Sequence, residues 1–461
     1  MLSESYIMKS EMLKILGALN PWWKGSGPFE GSRPPVERVV FPALARLVLA
    51  PDERRAAILL GPRQVGKTTL AHMVIADALR RGWPPKNILY VDLELDPFRG
   101  ARLLDLVEGR PVQPSPDWPV LFVLDEVQFC TTWAEELKVL VDRRAGRFLL
   151  TGSASRELLL GMDESLPGRY DRFSLFGLSL REFVELRELC GIRSLPLREH
   201  LQAYLELGGF PEHACSRDVP LVRRRILEDV AMRAISHDIV ARLSGEIRND
   251  VGLRHLFYHL VEHPGAKLNL DGLAREVEVS HVTAKKWLGA LEEASLLRPL
   301  QAMTCGARPT HRRGKQPKIY PCDPGIVSAY TVTGDYGRRA ETAVFRHLQE
   351  AVEDLDGRSE HRAVLGYWED GANGEIDFLL RQGDRCLAVE VTVSDPVPAE
   401  KLEAFDRACN KLAPASTRRL LVCLEPTRRT YQGNGLPIEV VPLEAFLMDC
   451  SNPEGLFDTD V

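Results

Sequence analysis

From Ala56 to Leu180, short apolar runs alternate with helix-like stretches. Ala57-Ile58-Leu59-Leu60, Ile88-Leu89-Tyr90-Val91, Val120-Leu121-Phe122-Val123-Leu124 and Arg147-Phe148-Leu149-Leu150 read as buried strands, and Thr69 to Arg81 reads as a helix. Strands this apolar, separated by helices, predict a parallel, doubly wound α/β sheet. Residues 181–250 have amphipathic helical spacing interrupted at Gly208-Gly209-Phe210-Pro211. In 251–325, Leu270, Leu273, Ala274 and Val277 repeat at helical spacing and Glu278-Val279 makes a turn. Ser280 then caps a second helix expected to carry Val282, Leu288 and Leu291 inward. With the basic loop that follows, this is a winged-helix pattern. From 326 to 461, a helix over Gly337 to Val352 precedes two strand-like runs, Ile376 to Leu380 and Leu387 to Val391, so an α/β or α+β domain is expected. Residues 1–55 combine a short apolar-periodic stretch with a Gly-, Ser- and Pro-rich run and read as an arm.

A length of 461 residues exceeds one compact core and predicts several domains. Mean hydropathy of -0.16 and no long uncharged apolar run argue against a membrane span. The start, Met1-Leu2-Ser3-Glu4-Ser5, does not resemble a signal peptide, which places the chain in the cytoplasm. Nine cysteines, odd in number and without a C-x-x-C pair, agree and read as small buried hydrophobes. A net charge of -6 excludes a generally basic nucleic-acid coat protein, so any such site must be a local patch. One patch is visible. No acidic residue lies between Glu293 and Asp323, whereas Arg298, Arg308, Arg312, Arg313, Lys315 and Lys318 do. With His281, Thr283, Lys285 and Lys286 on the second helix, these residues form a candidate DNA-contacting surface.

Gly61-Pro62-Arg63-Gln64-Val65-Gly66-Lys67-Thr68 matches G-x-x-x-x-G-K-[ST], directly after a strand and before a helix that opens through Thr69. The glycines let backbone N–H groups close around phosphate oxygens. Lys67 reaches the β/γ-phosphates of ATP, and the Thr68 hydroxyl serves Mg²⁺. The strand ending at Asp125-Glu126 supplies the matching acidic pair: Asp125 for Mg²⁺ and Glu126 to orient and deprotonate the attacking water. The next strand ends in Thr151-Gly152-Ser153, where Ser153 is assigned to the γ-phosphate and Thr151 is the second choice; a simple helix N-cap at Ser153 or Ser155 is the alternative.

Several ordered motifs together resemble one family: the P-loop; Asp125-Glu126-Val127-Gln128 with Trp133; Leu150-Thr151-Gly152-Ser153-Ala154-Ser155; Leu166-Pro167-Gly168-Arg169-Tyr170; Leu178-Ser179-Leu180-Arg181-Glu182-Phe183; and Gly208-Gly209-Phe210-Pro211-Glu212. The family is the prokaryotic AAA-type ATPases with a C-terminal domain of unknown function that resembles the restriction-endonuclease fold. The resemblance implies an AAA+-like core (56–180), a helical lid (181–250), a winged helix (251–325) and a restriction-endonuclease-like domain (326–461). It also implies a homo-oligomer, a hexameric ring, in which Arg169 reaches a neighbour's nucleotide, with Arg172 as the spare candidate. Pro211 would pack on the adenine. The implied output is movement or remodelling of DNA. The alternatives are a nucleotide-controlled assembly switch and an ATP-gated nuclease.

Gly374-Glu375-Ile376-Asp377 and Val389-Glu390-Val391-Thr392 resemble the metal-binding half of a PD-(D/E)xK nuclease, with Glu341 as a third carboxylate. The motif's lysine is replaced by Thr392, and Lys401 on the next helix can substitute only if the fold brings it over. No robust metal-dependent cleavage is therefore expected.

Overall fold

A computed structural model describes residues 12–29, 35–50, 53–110, 113–152, 165–240, 250–304, 314–331, 335–358, 361–371, 374–412 and 417–458. The chain forms two compact units, Met1–Leu175 and Phe176–Val461. Among the described residues, no helix is long and apolar enough to cross a membrane.

The first unit is built on five parallel strands: β1 (Ala56–Leu60), β2 (Ile88–Asp92), β3 (Leu121–Asp125), β4 (Arg147–Gly152) and β5 (Tyr170–Ser174). Their order is β2-β3-β4-β1-β5. All five residues of β1 and of β3 are buried, as a sheet covered on both faces requires. Helix α1 covers 12–19, α2 Phe41–Leu49, α3 Lys67–Arg80, α4 Leu103–Glu108 and α5 Trp133–Asp142. Because β4 lies between β1 and β3, three consecutive strand ends (Leu60, Gly152 and Asp125) stand side by side at one edge of the sheet. The arm packs on this unit. Asn20 at the end of α1 donates its amide to Tyr90 O at 2.9 Å and accepts from Tyr90 N at 2.7 Å. The indoles of Trp22 and Trp23 both donate to Ile88 O.

The second unit contains a mixed six-stranded sheet in the order β12-β13-β11-β10-β9-β8. Its strands are β8 (Ala363–Glu369), β9 (Glu375–Gln382), β10 (Arg385–Val391), β11 (Thr417–Cys423), β12 (Arg429–Tyr431) and β13 (Ile438–Pro442). The helix Tyr336–Arg358 precedes β8, and Ala399–Cys409 follows β10. Helices Leu270–Glu276 and His281–Glu293 precede a two-stranded antiparallel ribbon, β6 (Leu297–Leu300) and β7 (Lys318–Pro321). Just past β6 the chain bridges to the large sheet: Met303 N donates to Tyr367 O on β8, and Tyr367 N donates to Gln301 O.

Ser280 caps the second helix by accepting from Thr283 N. Its inward residues are Ala284, Trp287, Leu288 and Leu291. Val282, expected inward, is 75% exposed. The stripe set by 284, 287/288 and 291 leaves position 282 on the opposite face. A second correction concerns the cysteines. Cys190, just after the helix Leu180–Leu189, forms a disulfide with Cys215. The turn that follows Gly209 returns the chain to that helix end, a proximity that a separation of 25 residues does not reveal. Cys130, Cys322, Cys386, Cys409, Cys423 and Cys450 are buried, as expected.

Candidate active site and acidic clusters

The loop Gly61–Gly66 turns from β1 into α3 with a backbone that only particular residues tolerate. A Cβ on Gly61 would lie 2.3 Å from Leu175 O. Gly66 has φ of 97°, where a side chain is strained. Lys67 is the first residue of α3, so the N–H groups of that helix start face the same space as its ammonium. Its Nζ donates to Gly61 O at 3.2 Å and Pro62 O at 3.0 Å and stands 3.8 Å from Glu126 Oε1. Arg38, a residue of the arm that the sequence patterns did not single out, donates to Val65 O at 2.9 Å and holds the loop from beneath.

Asp125 ends β3 and is buried. Its Oδ2 accepts from the Thr68 hydroxyl at 2.7 Å and from the Tyr90 phenol at 2.8 Å; its Oδ1 accepts from the Thr151 hydroxyl. Burial and the charge of Asp125 push the Tyr90 phenol far above its ordinary range, so it stays a donor. Glu126 leaves the strand with φ of 54°, turning its side chain away from the sheet. Its N–H donates to Thr151 Oγ1 at 3.1 Å, and Gln128 Nε2 donates to Glu126 Oε2 at 2.6 Å. The structure thus brings Lys67, Thr68, Asp125 and Glu126 together and adds Tyr90, Gln128 and the second-choice Thr151. Ser153 lies outside the described residues. His72 packs its ring 4.7 Å from that of Tyr90, and burial lowers its pKa.

These donors suit a magnesium nucleotide. An ammonium and helix-start N–H groups meet phosphate oxygens, while a hydroxyl and a carboxylate 2.7 Å apart meet a hard cation. Arg169 lies just before β5, where its guanidinium makes a two-toothed pair with Asp142 at 2.8 and 3.2 Å on the surface. Pro211 belongs to the second unit, where it follows the fully buried Phe210. The Gly208-Gly209 step is packed against Asp323, whose carboxylate accepts from Gly209 N at 3.0 Å and Gly325 N at 2.8 Å. A Cβ on Gly208 would meet Asp323 Oδ1 at 2.2 Å. The small residues of this turn are required by a buried carboxylate that the sequence did not connect to them.

The C-terminal carboxylates also converge. Asp377 on β9 and Glu390 on β10 lie one position beyond the Val389–Phe378 pair. Lys401, from the helix Ala399–Cys409, places its Nζ 3.2 Å from Glu390 Oε1, so the fold does bring it over. A second lysine, which the motif spacing did not connect to the cluster, stands there as well. Lys318 on β7 is 3% exposed, with its Nζ 2.7 Å from Glu375 Oε1 and 3.2 Å from Asp377 Oδ1. Tyr320 donates to Glu341 Oε1 at 2.6 Å. Burial and the nearby Asp377 charge push the Glu341 and Glu390 carboxyls up, to about 7 and about 8. Among the described residues, no group of three or more His, Cys, Asp or Glu is arranged to hold a metal ion.

The basic surface is redistributed accordingly. Lys318, expected to meet DNA, is buried in the carboxylate cluster, and Lys315 pairs with Glu369 at 2.7 Å. Burying carboxylates requires counter-charge, and the ribbon's lysines provide it. His281 pairs with Asp271 at 2.6 Å, and the Thr283 hydroxyl lies 2.8 Å from that of Ser280. Lys285 and Lys286 are exposed on the second helix. Arg308, Arg312 and Arg313 lie outside the described residues.

Residues 53–184 match the family model of an AAA domain. Residues 198–336 and 336–446 match two domains of unknown function, DUF8612 and DUF4143. The chain is similar to an uncharacterized protein of Haemophilus influenzae, 24% identical over 365 residues, covering 77% of this chain and 86% of that one. It is also similar to an uncharacterized protein of Mycobacterium tuberculosis, 29% identical over 289 residues, covering 62% of this chain and 58% of that one. Among solved structures, AMPPCP-bound DnaA from Aquifex aeolicus aligns over 55% of this chain and 85% of that one, with 16% identity and a TM-score of 0.27, a likeness that carries no detail of the site. The P-loop, the parallel sheet and the AAA match together make the first unit an AAA-type P-loop domain.

Proposed function

We propose that this chain hydrolyses ATP in a Mg²⁺-dependent reaction as a homo-oligomer, a hexameric ring, and couples turnover to binding and remodelling of DNA. The observation that supports it most is the convergence of Lys67, Thr68, Asp125 and Glu126 at one end of the parallel sheet. Bound Mg²⁺ would supply charge neutralisation at the β/γ-phosphates. Thr68 and Asp125 are the residues to hold it. Lys67, leaving the carbonyls of Gly61 and Pro62, meets the phosphates. Glu126 accepts the proton of the attacking water, and Gln128 keeps its carboxylate oriented. Thr151 ties Asp125 to the Glu126 backbone, so that the cation ligand and the base hold a fixed relation.

Arg169 is the candidate finger across a subunit interface, for which it exchanges Asp142 for a neighbour's γ-phosphate. In mixtures, Arg169→Ala and Lys67→Ala subunits should partly rescue each other; no rescue in any mixture, together with weaker ATP binding by Arg169→Ala alone, places the residue in its own site. For the output, Lys285, Lys286, Arg308, Arg312 and Arg313 are the phosphate-facing candidates, with His281 and Thr283 beside them. The test measures ATP turnover with and without duplex and single-stranded DNA, then repeats it with Lys285, Arg312 and Arg313 changed to Ser. DNA stimulation that disappears in this variant, with a flatter salt dependence of binding, supports the reading. Turnover indifferent to DNA points instead to an assembly switch, a reading favoured by the burial of Lys318 and the pairing of Lys315 within the protein.

A further inference from the structure

We propose that the Lys318 ammonium is the resident cation of the C-terminal carboxylate cluster: it holds the place of a divalent ion, excludes one, and clasps strand β7 to the C-terminal sheet. The resemblance to a metal-dependent nuclease makes this cluster a metal site; the positions of its partners disagree. Asp377 has both oxygens engaged, Oδ1 by Lys318 Nζ at 3.2 Å and Oδ2 by Val391 N at 3.1 Å. Glu375 is shared between Lys318 at 2.7 Å and Lys267 at 2.9 Å. Glu341 is taken by Tyr320 and one oxygen of Glu390 by Lys401. A divalent ion on Asp377 sits about 2.0–2.6 Å from its ligand oxygens, space that an ammonium already fills and a second positive charge repels.

The partners are positioned by strand geometry. Lys318 and Tyr320 are two residues apart on β7 and so project from the same face. One reaches the Asp377–Glu375 pair and the other Glu341, so a single strand supplies partners to three carboxylates. Lys318 cannot easily withdraw. Its backbone is paired with Leu300 on β6 and bridged to Lys267, and its ammonium also lies 5.4 Å from the Tyr367 ring. Burial alone would lower its pKa, but the charges of Asp377, Glu341 and Glu375 raise it, so it remains an ammonium. Glu390 Oε2 is buried without a hydrogen-bond partner, which leaves the cluster receptive to a cation once Lys318 is gone.

The test is a Mn²⁺ titration of the full chain without nucleotide, read by calorimetry and by the thermal midpoint. The unaltered chain should show no saturable binding to the cluster and no cleavage of supercoiled, linear or branched DNA with Mg²⁺ or Mn²⁺. Lys318→Met should bind Mn²⁺ at least about tenfold more tightly and regain thermal stability as it does, because the uncompensated carboxylates then share an external cation. Adding Asp377→Asn to that variant should remove the gain. If Lys318→Met does not fold, Lys318→Gln, which keeps a donor toward Glu375, should give the same result. Saturable Mn²⁺ binding by the unaltered chain that Asp377→Asn abolishes would overturn the proposal, as would folded Lys318 variants that bind no more tightly than their parent.

Discussion

Two acidic sites in this chain answer the same electrostatic problem in opposite ways. At Asp125, three hydroxyls, from Thr68, Tyr90 and Thr151, satisfy the buried carboxylate, and the nearest ammonium, Lys67, is turned to loop carbonyls. Hydroxyls stabilise an anion without neutralising it, so the site keeps negative charge for an incoming cation. At Asp377, lysine ammoniums do the neutralising, and the charge is spent on holding two parts of the second unit together. A carboxylate adjoining an apolar strand run is found in both places. The difference lies in whether the partner carries a hydroxyl or a charge.

The sharpest way to break this comparison is at Lys67. Lys67→Ala should abolish ATP turnover, whereas Glu126→Gln should bind ATP and stall, because only the first removes a phosphate contact. Nucleotide-binding and turnover assays separate them, and parent-rate hydrolysis by Glu126→Gln would end the assignment of the base. The paired substitutions Asp125→Asn and Asp377→Asn come next. Asp125→Asn should lower turnover by about a hundredfold while changing stability by about 1 kcal/mol. Asp377→Asn removes one of the two carboxylates paired with Lys318, leaving Glu375, and should cost on the order of 2 kcal/mol in urea unfolding, with turnover per folded molecule unchanged. Equal effects of the two on turnover would erase the distinction drawn above.

Asp323 sharpens it from a third side, since its direct partners are backbone amides. Burial pushes its carboxyl up to about 6, against the pull of the Gly325 and Gly209 amides and the Arg346 charge. A carboxyl whose folded pKa is raised favours folding most below its unfolded pKa, about 3.9, and loses that contribution as pH rises through about 6. Relative to Asp323→Asn, the parent should therefore lose on the order of 2 kcal/mol between about pH 4 and pH 7. Parallel stability curves for the two would show that Asp323 ionises freely. The smallest effect belongs to Thr151→Val. Losing a hydrogen bond to a charged group, about 1.5 kcal/mol, should lower kcat by about tenfold while leaving nucleotide affinity near the parent value. A fall in affinity instead would place Thr151 in binding.

The nucleotide site was largely legible because its chemistry is local: the loop, Lys67 and Thr68 are contiguous, and the two strand ends follow apolar runs of unmistakable period. Arg38 and Tyr90 were not, since nothing in their own neighbourhoods marks them; each acts only once tertiary contact brings it to the loop or the acidic pair. The C-terminal cluster shows the same limit more strongly. Its carboxylates could be named from motif spacing, but Lys401 arrives from the next helix and Lys318 from a strand 59 residues before Asp377. Reading the charge-rich segment before Asp323 as a surface patch treated lysines as solvated because they are lysines. Val282 failed for a simpler reason, a helical phase set two positions from the one that Trp287 and Leu288 impose.

Asn20 carries a consequence for how this protein avoids its own kind. Strand β2 is an outermost strand of the first sheet, and its outward backbone groups at Ile88 and Tyr90 would otherwise be open to strand addition by a second molecule. The Asn20 amide and the two indoles occupy those groups, completing the ladder with side chains that cannot propagate it. The arm therefore covers this edge against strand addition, and in the oligomer proposed above contacts between subunits would use other faces of the unit.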